Sequence, residues 1–159
     1  MKNIFKLMAL FAFLFCLTSC DDDEPVIPTL EVTPANLNGT WELSEWNGAP
    51  LAEGTYCYIT FNRKEQTFEM YQKFDSMYAR YITGNFSIEV DPYLGSIISG
   101  DYDFGNGDWN NKYIVTDLLE GGSMIWTAKD DENDVNKYIR CDKVPEEIIA
   151  EAKIDEDEN

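Results

Sequence analysis

The sequence predicts an all-β fold, an eight-stranded antiparallel up-and-down β-barrel followed by a short C-terminal helix. Three observations carry this expectation. Eight short runs rich in Tyr, Phe, Trp, Ile, Val and Thr succeed one another between residues 40 and 142, separated by Gly, Asn and Asp at regular spacing. Inside the runs apolar side chains recur at every second position, the period of a strand and not of a helix. No stretch between them is long enough for a crossover helix. Eight strands joined by hairpins lose their exposed edges most economically by closing on themselves.

In order, the strands are expected at 40–47, 55–62, 67–74, 78–88, 94–104, 112–119, 123–129 and 135–142. Alternation is clearest in the third, where Phe68, Met70, Gln72 and Phe74 share one face. The fourth places Tyr78, Arg80, Ile82, Gly84, Phe86 and Ile88 on one face in the same way. After the last strand, Pro145 suits a first helical position, and Glu146 and Glu147 suit the positive end of the helix dipole. Ile148, Ile149 and Ala152 then form one apolar side. A short helix against the barrel wall follows, with 155–159 as a frayed acidic tail.

Upstream of the barrel the chain is addressed rather than folded. Residues 1–19 have the layout of a secretory signal, with Lys2 and Lys6 before an apolar core at 7–17 that is short for a membrane span. Leu17-Thr18-Ser19-Cys20 resembles a bacterial lipobox, in which the thiol of the Cys receives lipid; the competing reading is an ordinary signal with a chance Cys. Asp21, Asp22, Asp23 and Glu24 form a like-charge run that repels itself and buries nothing. Cys followed by these acids also resembles the export signal of Bacteroidetes-type lipoproteins displayed on the outer face of the outer membrane, with retention on the periplasmic side as the alternative. Acylation of Cys20 would hold the chain to a membrane without a spanning helix. The domain plan is therefore a signal at 1–19, a lipidated Cys and acidic, Pro-containing linker at 20–36, the barrel at 37–144, and helix and tail at 145–159.

Charge narrows the partners. The chain has 30 acidic and 12 basic residues and no histidine. Loss of residues 1–19 removes two lysines, leaving a net charge of −20. A body so acidic avoids nucleic acid and anionic lipid surfaces. Absence of histidine removes the commonest general base and zinc ligand. There is no Gly-x-Ser-x-Gly elbow and no phosphate loop, so a non-catalytic protein without a cofactor is expected. Beyond Cys16 and Cys20, the remaining cysteines, Cys57 and Cys141, fall two strands apart, roughly 10 Å at the usual strand spacing, which favours two unpaired thiols.

Gly39-Thr40-Trp41 at the first strand resembles the Gly-x-Trp opening of lipocalin-like domains, and Lys137-Tyr138-Ile139-Arg140 resembles their closing strand. The resemblance covers residues 37 to about 154 and is nearest to the small lipocalin-like domains of Bacteroidetes lipoproteins. It implies a calycin-like barrel in which Arg140 packs over Trp41 as a structural plug at the closed end. It also implies that inward Arg and Tyr side chains hold the carboxylate of a small apolar acid. Departures are a chain shorter than typical secreted lipocalins and a first loop, 48–54, too short for their lid.

Strand parity places polar Gln72, Arg80 and Tyr102 on the inward face with Trp126, and these four are the candidate ligand-binding residues for a small apolar or amphipathic molecule. An unpaired buried guanidinium is very costly, so Arg80 needs water, a carboxylate or a ligand, unless it reaches out of the mouth. The large inward aromatics Phe68, Phe74, Phe86, Phe104 and Trp126 argue for an interior that is largely filled. Loops alternate between the two ends, so 48–54, 75–77, 105–111 and 130–134 share the outward mouth. They carry Glu53, Asp75, Asp108, Asp130, Asp131, Glu132 and Asp134 and no base. Asp130, Asp131 and Glu132, with an exposed Trp109, form a candidate rim for a cationic protein or peptide; a plain solvated rim is the alternative. Asp101, Asp103 and Asp108 offer hard oxygens for calcium, but Gly105 and Lys112 break the EF-hand spacing, so no metal is assigned.

Overall fold

In the computed structural model the described residues are 27–74 and 78–157, with only the backbone described for 153–157. The signal segment, Cys20, the acids after it and the loop at 75–77 lie outside the described residues.

The chain enters through a single helical turn, α1 (Pro34–Leu37), whose N-cap Thr33 accepts the Asn36 backbone N–H. The ladder then runs β1 (Gly39–Trp46), β2 (Ala49–Pro50), β3 (Tyr56–Asn62), β4 (Thr67–Lys73), β5 (Arg80–Asp91) and β6 (Gly95–Tyr102). It continues with β7 (Tyr113–Thr116), β8 (Ser123–Ala128) and β9 (Asp131–Cys141), and α2 (Glu146–Asp157) follows. All neighbours are antiparallel, and β1 pairs with β9 from Thr40↔Cys141 to Trp46↔Asn136, which closes the barrel. Eight strands make the wall, as expected; β2 is a two-residue flap folded back on the end of β1. Its turn is Asn47-Gly48, both at positive φ of 54° and 76°, a two-residue hairpin whose twist matches its strands.

The closed end is built from local sequence. Trp41 is fully buried, its Nε1 donates to the Leu37 carbonyl at 2.8 Å, and the Arg140 guanidinium lies 4.1 Å above the ring. Arg140 also donates to the Asn38 and Asn36 carbonyls at 2.6 and 2.7 Å, joining β9 to the last turn of α1. Residues 28–33, placed in the linker by composition, belong to this end. Thr29 bridges Leu119, the Leu30 N–H reaches the Leu118 carbonyl, and Leu30 and Val32 pack on the core. The cluster on which they pack includes the buried Leu37 and Leu118.

Outside the wall, α2 crosses β4 and β5 with Ala152 fully buried. Its backbone is helical through Asp157, so the expected fraying from residue 155 is corrected: the turn is continued beyond the apolar side. Glu151 fastens it, accepting from Lys73 Nζ and from the Tyr56 hydroxyl. The Lys73 hydrogen bond, ahead of the others, holds the Glu151 carboxyl below its ordinary range. A carboxyl depressed in the folded state stabilises above its unfolded pKa of about 4.3, and that contribution disappears as pH falls through the folded value. Acidification from pH 7 to below 4 is therefore expected to loosen α2 before the barrel, read as loss of amide-exchange protection in 146–157. Glu151→Gln should make that protection insensitive to pH over the same window; an unchanged acid response would assign the effect to other carboxyls.

Candidate functional site

The barrel interior divides into two halves. The lower half is solid: Phe61 and Phe86 meet edge to face at 4.8 Å, and Phe61, Phe68, Ile98 and Met124 are essentially without solvent contact. The upper half is a cavity of about 1120 Å³ that opens at the end carrying the β6–β7 loop and the start of β9. The expectation of a largely filled interior thus holds for half of the barrel. The reason lies in the side chains: β4 and β5 supply Phe68 and Phe86 low in the barrel but the polar pair Gln72 and Arg80 high in it.

Gln72, Arg80, Tyr102 and Trp126 all line this cavity. Gln72 and Arg80 are register partners across β4 and β5, so their side chains leave the wall side by side. Arg80 is exposed and has no carboxylate within 4 Å among the described residues; it reaches toward the mouth. Burial raises the pKa of Tyr102, partly offset by the nearby Arg80 charge. Trp126 forms the floor, with ring centroids 4.7 Å from Tyr138, 5.4 Å from Tyr113 and 5.4 Å from Trp109. Beside it Cys57 is buried in contact with Tyr138, and desolvation pushes its thiol up to about 12, which makes it inert at neutral pH. Cys57 and Cys141 are both free thiols.

Two aromatic assignments are corrected. Trp109, expected on the rim, is 8% exposed and packs inside the barrel. The chain after β6 doubles back so that Asp101 bridges Asp108 and the Trp109 N–H reaches the Gly100 carbonyl. Trp109 therefore stands opposite Gly100, and residues opposite one another in an antiparallel pair share a face, so the indole drops into the space left by the missing side chain of Gly100. Phe104, expected inside, is 95% exposed, because a short 3-10 turn, Asp103–Gly105, holds it at φ 63° and breaks the alternation of β6. It stands on the cavity's edge.

Asp134 was counted in the acidic rim; its carboxylate instead accepts from Trp46 Nε1, Asn136 Nδ2 and Asn111 Nδ2 at 3.0–3.2 Å. The cause is a register shift in the β8–β9 ladder. Thr127 faces Val135 while Ala128 faces Asp131, so the intervening residues leave the regular pairing and Asp134 turns toward the cavity. Sequence reading began this strand at Val135 and so left Asp134 in the loop, although Asp134, Asn136 and Tyr138 alternate at period two. Asp130, Asp131 and Glu132 are exposed at the turn, as placed. Asp103 accepts from Thr83 Oγ1 at 2.6 Å and does not join Asp101 and Asp108, and the described residues contain no cluster of His, Cys, Asp and Glu suited to a metal ion. The calcium arrangement is therefore withdrawn.

A closed antiparallel barrel with one packed end, one open aromatic cavity and a helix on its wall defines a ligand-binding β-barrel. The chain belongs to the lipocalin-like domain family, whose sequence profile matches residues 37–126. No curated protein and no solved structure matches it significantly.

Proposed function

We propose that this protein is a non-catalytic, lipid-anchored barrel of the Bacteroidetes lipoprotein type that binds a small amphipathic ligand in its upper cavity. One observation carries the binding reading: the cavity of about 1120 Å³ joins an aromatic floor to a polar mouth, the layout of small-molecule sites. Trp46, Trp109 and Trp126, three of the four tryptophans, line it, so intrinsic fluorescence reports its occupancy. The neutral apolar dye N-phenyl-1-naphthylamine is expected to quench that fluorescence saturably in the soluble chain from Asp21 onward. Gln72→Trp, which fills the upper cavity from a half-buried position, should weaken binding at least tenfold without lowering the melting temperature. Equal binding to both chains would place the dye elsewhere.

The address rests on Cys20 in its lipobox and on the acids behind it. Because α1 and β1 start at the packed end, an anchor at Cys20 would hold that end toward the membrane and leave the cavity facing outward. Metabolic labelling with palmitate should mark the wild type and not Cys20→Ala, and protease added to intact cells should remove the protein if it is displayed on the surface. Protection from the protease in intact cells would place it on the periplasmic face.

Capture of a cationic protein by Asp130, Asp131 and Glu132 is the second reading, supported by their exposure and by exposed Phe104 on the same mouth. Burial of Trp109 removes the aromatic anchor that reading relied on, which is why the interior is favoured.

A further inference from the structure

The cavity has a chemistry more specific than its shape. Among its lining residues only Leu43, Met70, Ala79 and Ile82 are aliphatic, too few to sheath an acyl chain. The remainder divides into flat rings and hydrogen-bonding side chains. Gln72, Arg80, Tyr102, Asn106 and Asn110 line the upper wall, and none of these side chains makes a hydrogen bond among the described residues. Deeper, Trp109 Nε1, on the indole edge that lies against Gly100, is the one buried side-chain nitrogen or oxygen without a partner among the described residues. Buried donors of this kind are uncommon in native structures and are satisfied by water or a ligand.

Charge restricts the occupant further. Arg80 is the one cation in the described lining, against Asp103 and Asp134. Asp134 has both oxygens engaged, by three donors, and Asp103 is turned to Thr83 through Oδ2, so the two acids do not present a bare carboxylate pair to a cation. Arg80 alone would draw an anion, but it is exposed at the mouth, where water screens it, in a chain with 30 acidic and 12 basic residues. What remains is a neutral molecule, flat and apolar on its faces and ringed by hydrogen-bonding groups. Resting on the binding reading above, we propose that the cavity takes a neutral saccharide. Its ring faces lie against the aromatic floor while its hydroxyl groups engage Gln72, Arg80, Asn106 and Asn110. A volume of about 1120 Å³ is just above the usual range for small-ligand sites and leaves room for more than one sugar ring.

The test is saturation-transfer NMR on the full chain in lipid nanodiscs with cellobiose, maltose, lactose and chitobiose as probes. At least one disaccharide is expected to receive saturation, strongest at the ring protons of one face. In the double variant Gln72→Ala, Asn110→Ala the affinity should fall at least tenfold; both side chains lack partners, so the fold is retained. Saccharide binding unchanged in that variant would overturn the assignment by locating the sugar outside the cavity. If no disaccharide binds while N-phenyl-1-naphthylamine still enters the soluble chain and is blocked by Gln72→Trp, the saccharide class is wrong and the cavity stands. If neither binds, both readings fall.

Discussion

Trp41→Ala is expected to lower the stability of the barrel by about 3–5 kcal/mol, the range for a fully buried large aromatic removed from a core. Trp41 has no exposed surface, fills the packed end beneath α1, and its indole N–H satisfies the Leu37 carbonyl. Truncation leaves a cavity that cannot collapse, since β1 is held on both sides by β3 and β9, and it strips the Leu37 carbonyl of its donor. For a domain of this size the loss corresponds to a fall in melting temperature of about 10–20 °C. Arg140→Ala should have a smaller effect, about 1–2 kcal/mol, because its hydrogen bonds to Asn36 and Asn38 are solvent-exposed. The two substitutions in one chain should be less damaging than their sum, by about 0.5–1 kcal/mol of shared cation–π contact. Strict additivity in urea denaturation would mean that the stacking of Arg140 on Trp41 contributes nothing.

Gly100→Val should act on the cavity instead of the packed end. A Cβ at Gly100 would lie 2.3 Å from Trp109 Cε2 and 2.6 Å from its Nε1, separations no real structure tolerates. The indole must leave, and exposing a ring of that size is expected to destabilise by about 2–3 kcal/mol. Tryptophan emission should shift to longer wavelength, and any ligand resting on Trp109 should bind less tightly. The control is the same substitution in a Trp109→Ala chain, where the clash is gone and the added cost should shrink to a few tenths of a kcal/mol. Emission and stability unaffected by Gly100→Val would show that Trp109 does not depend on the space above Gly100.

What local pattern could reveal, the sequence did reveal. Period-two alternation placed Phe68, Met70 and Gln72 on one face of a strand and Arg80, Ile82 and Phe86 on one face of the next, because side-chain direction in a strand is a property of two consecutive residues. Trp109 is turned inward by pairing opposite Gly100 and not by that rule, and nothing local marks a loop that resumes pairing with its own strand.

The sequence by itself therefore determined the number and order of the wall strands, their meander connectivity, the helix after them, and the inward direction of Gln72, Arg80 and Tyr102. Tertiary structure alone decided that the lower half is packed and the upper half open, that Phe104 stands outside and Trp109 within, and that Asp134 ties three segments together. It also recruited the segment before α1, with Thr29 paired to Leu119 and Leu30 and Val32 packed on the core. The physical reason is one of range. Alternation is fixed between adjacent residues, whereas filled volume depends on how side chains from strands far apart in sequence meet after closure, and a bulge of a few residues at Thr127 and Ala128 is enough to redirect a carboxylate.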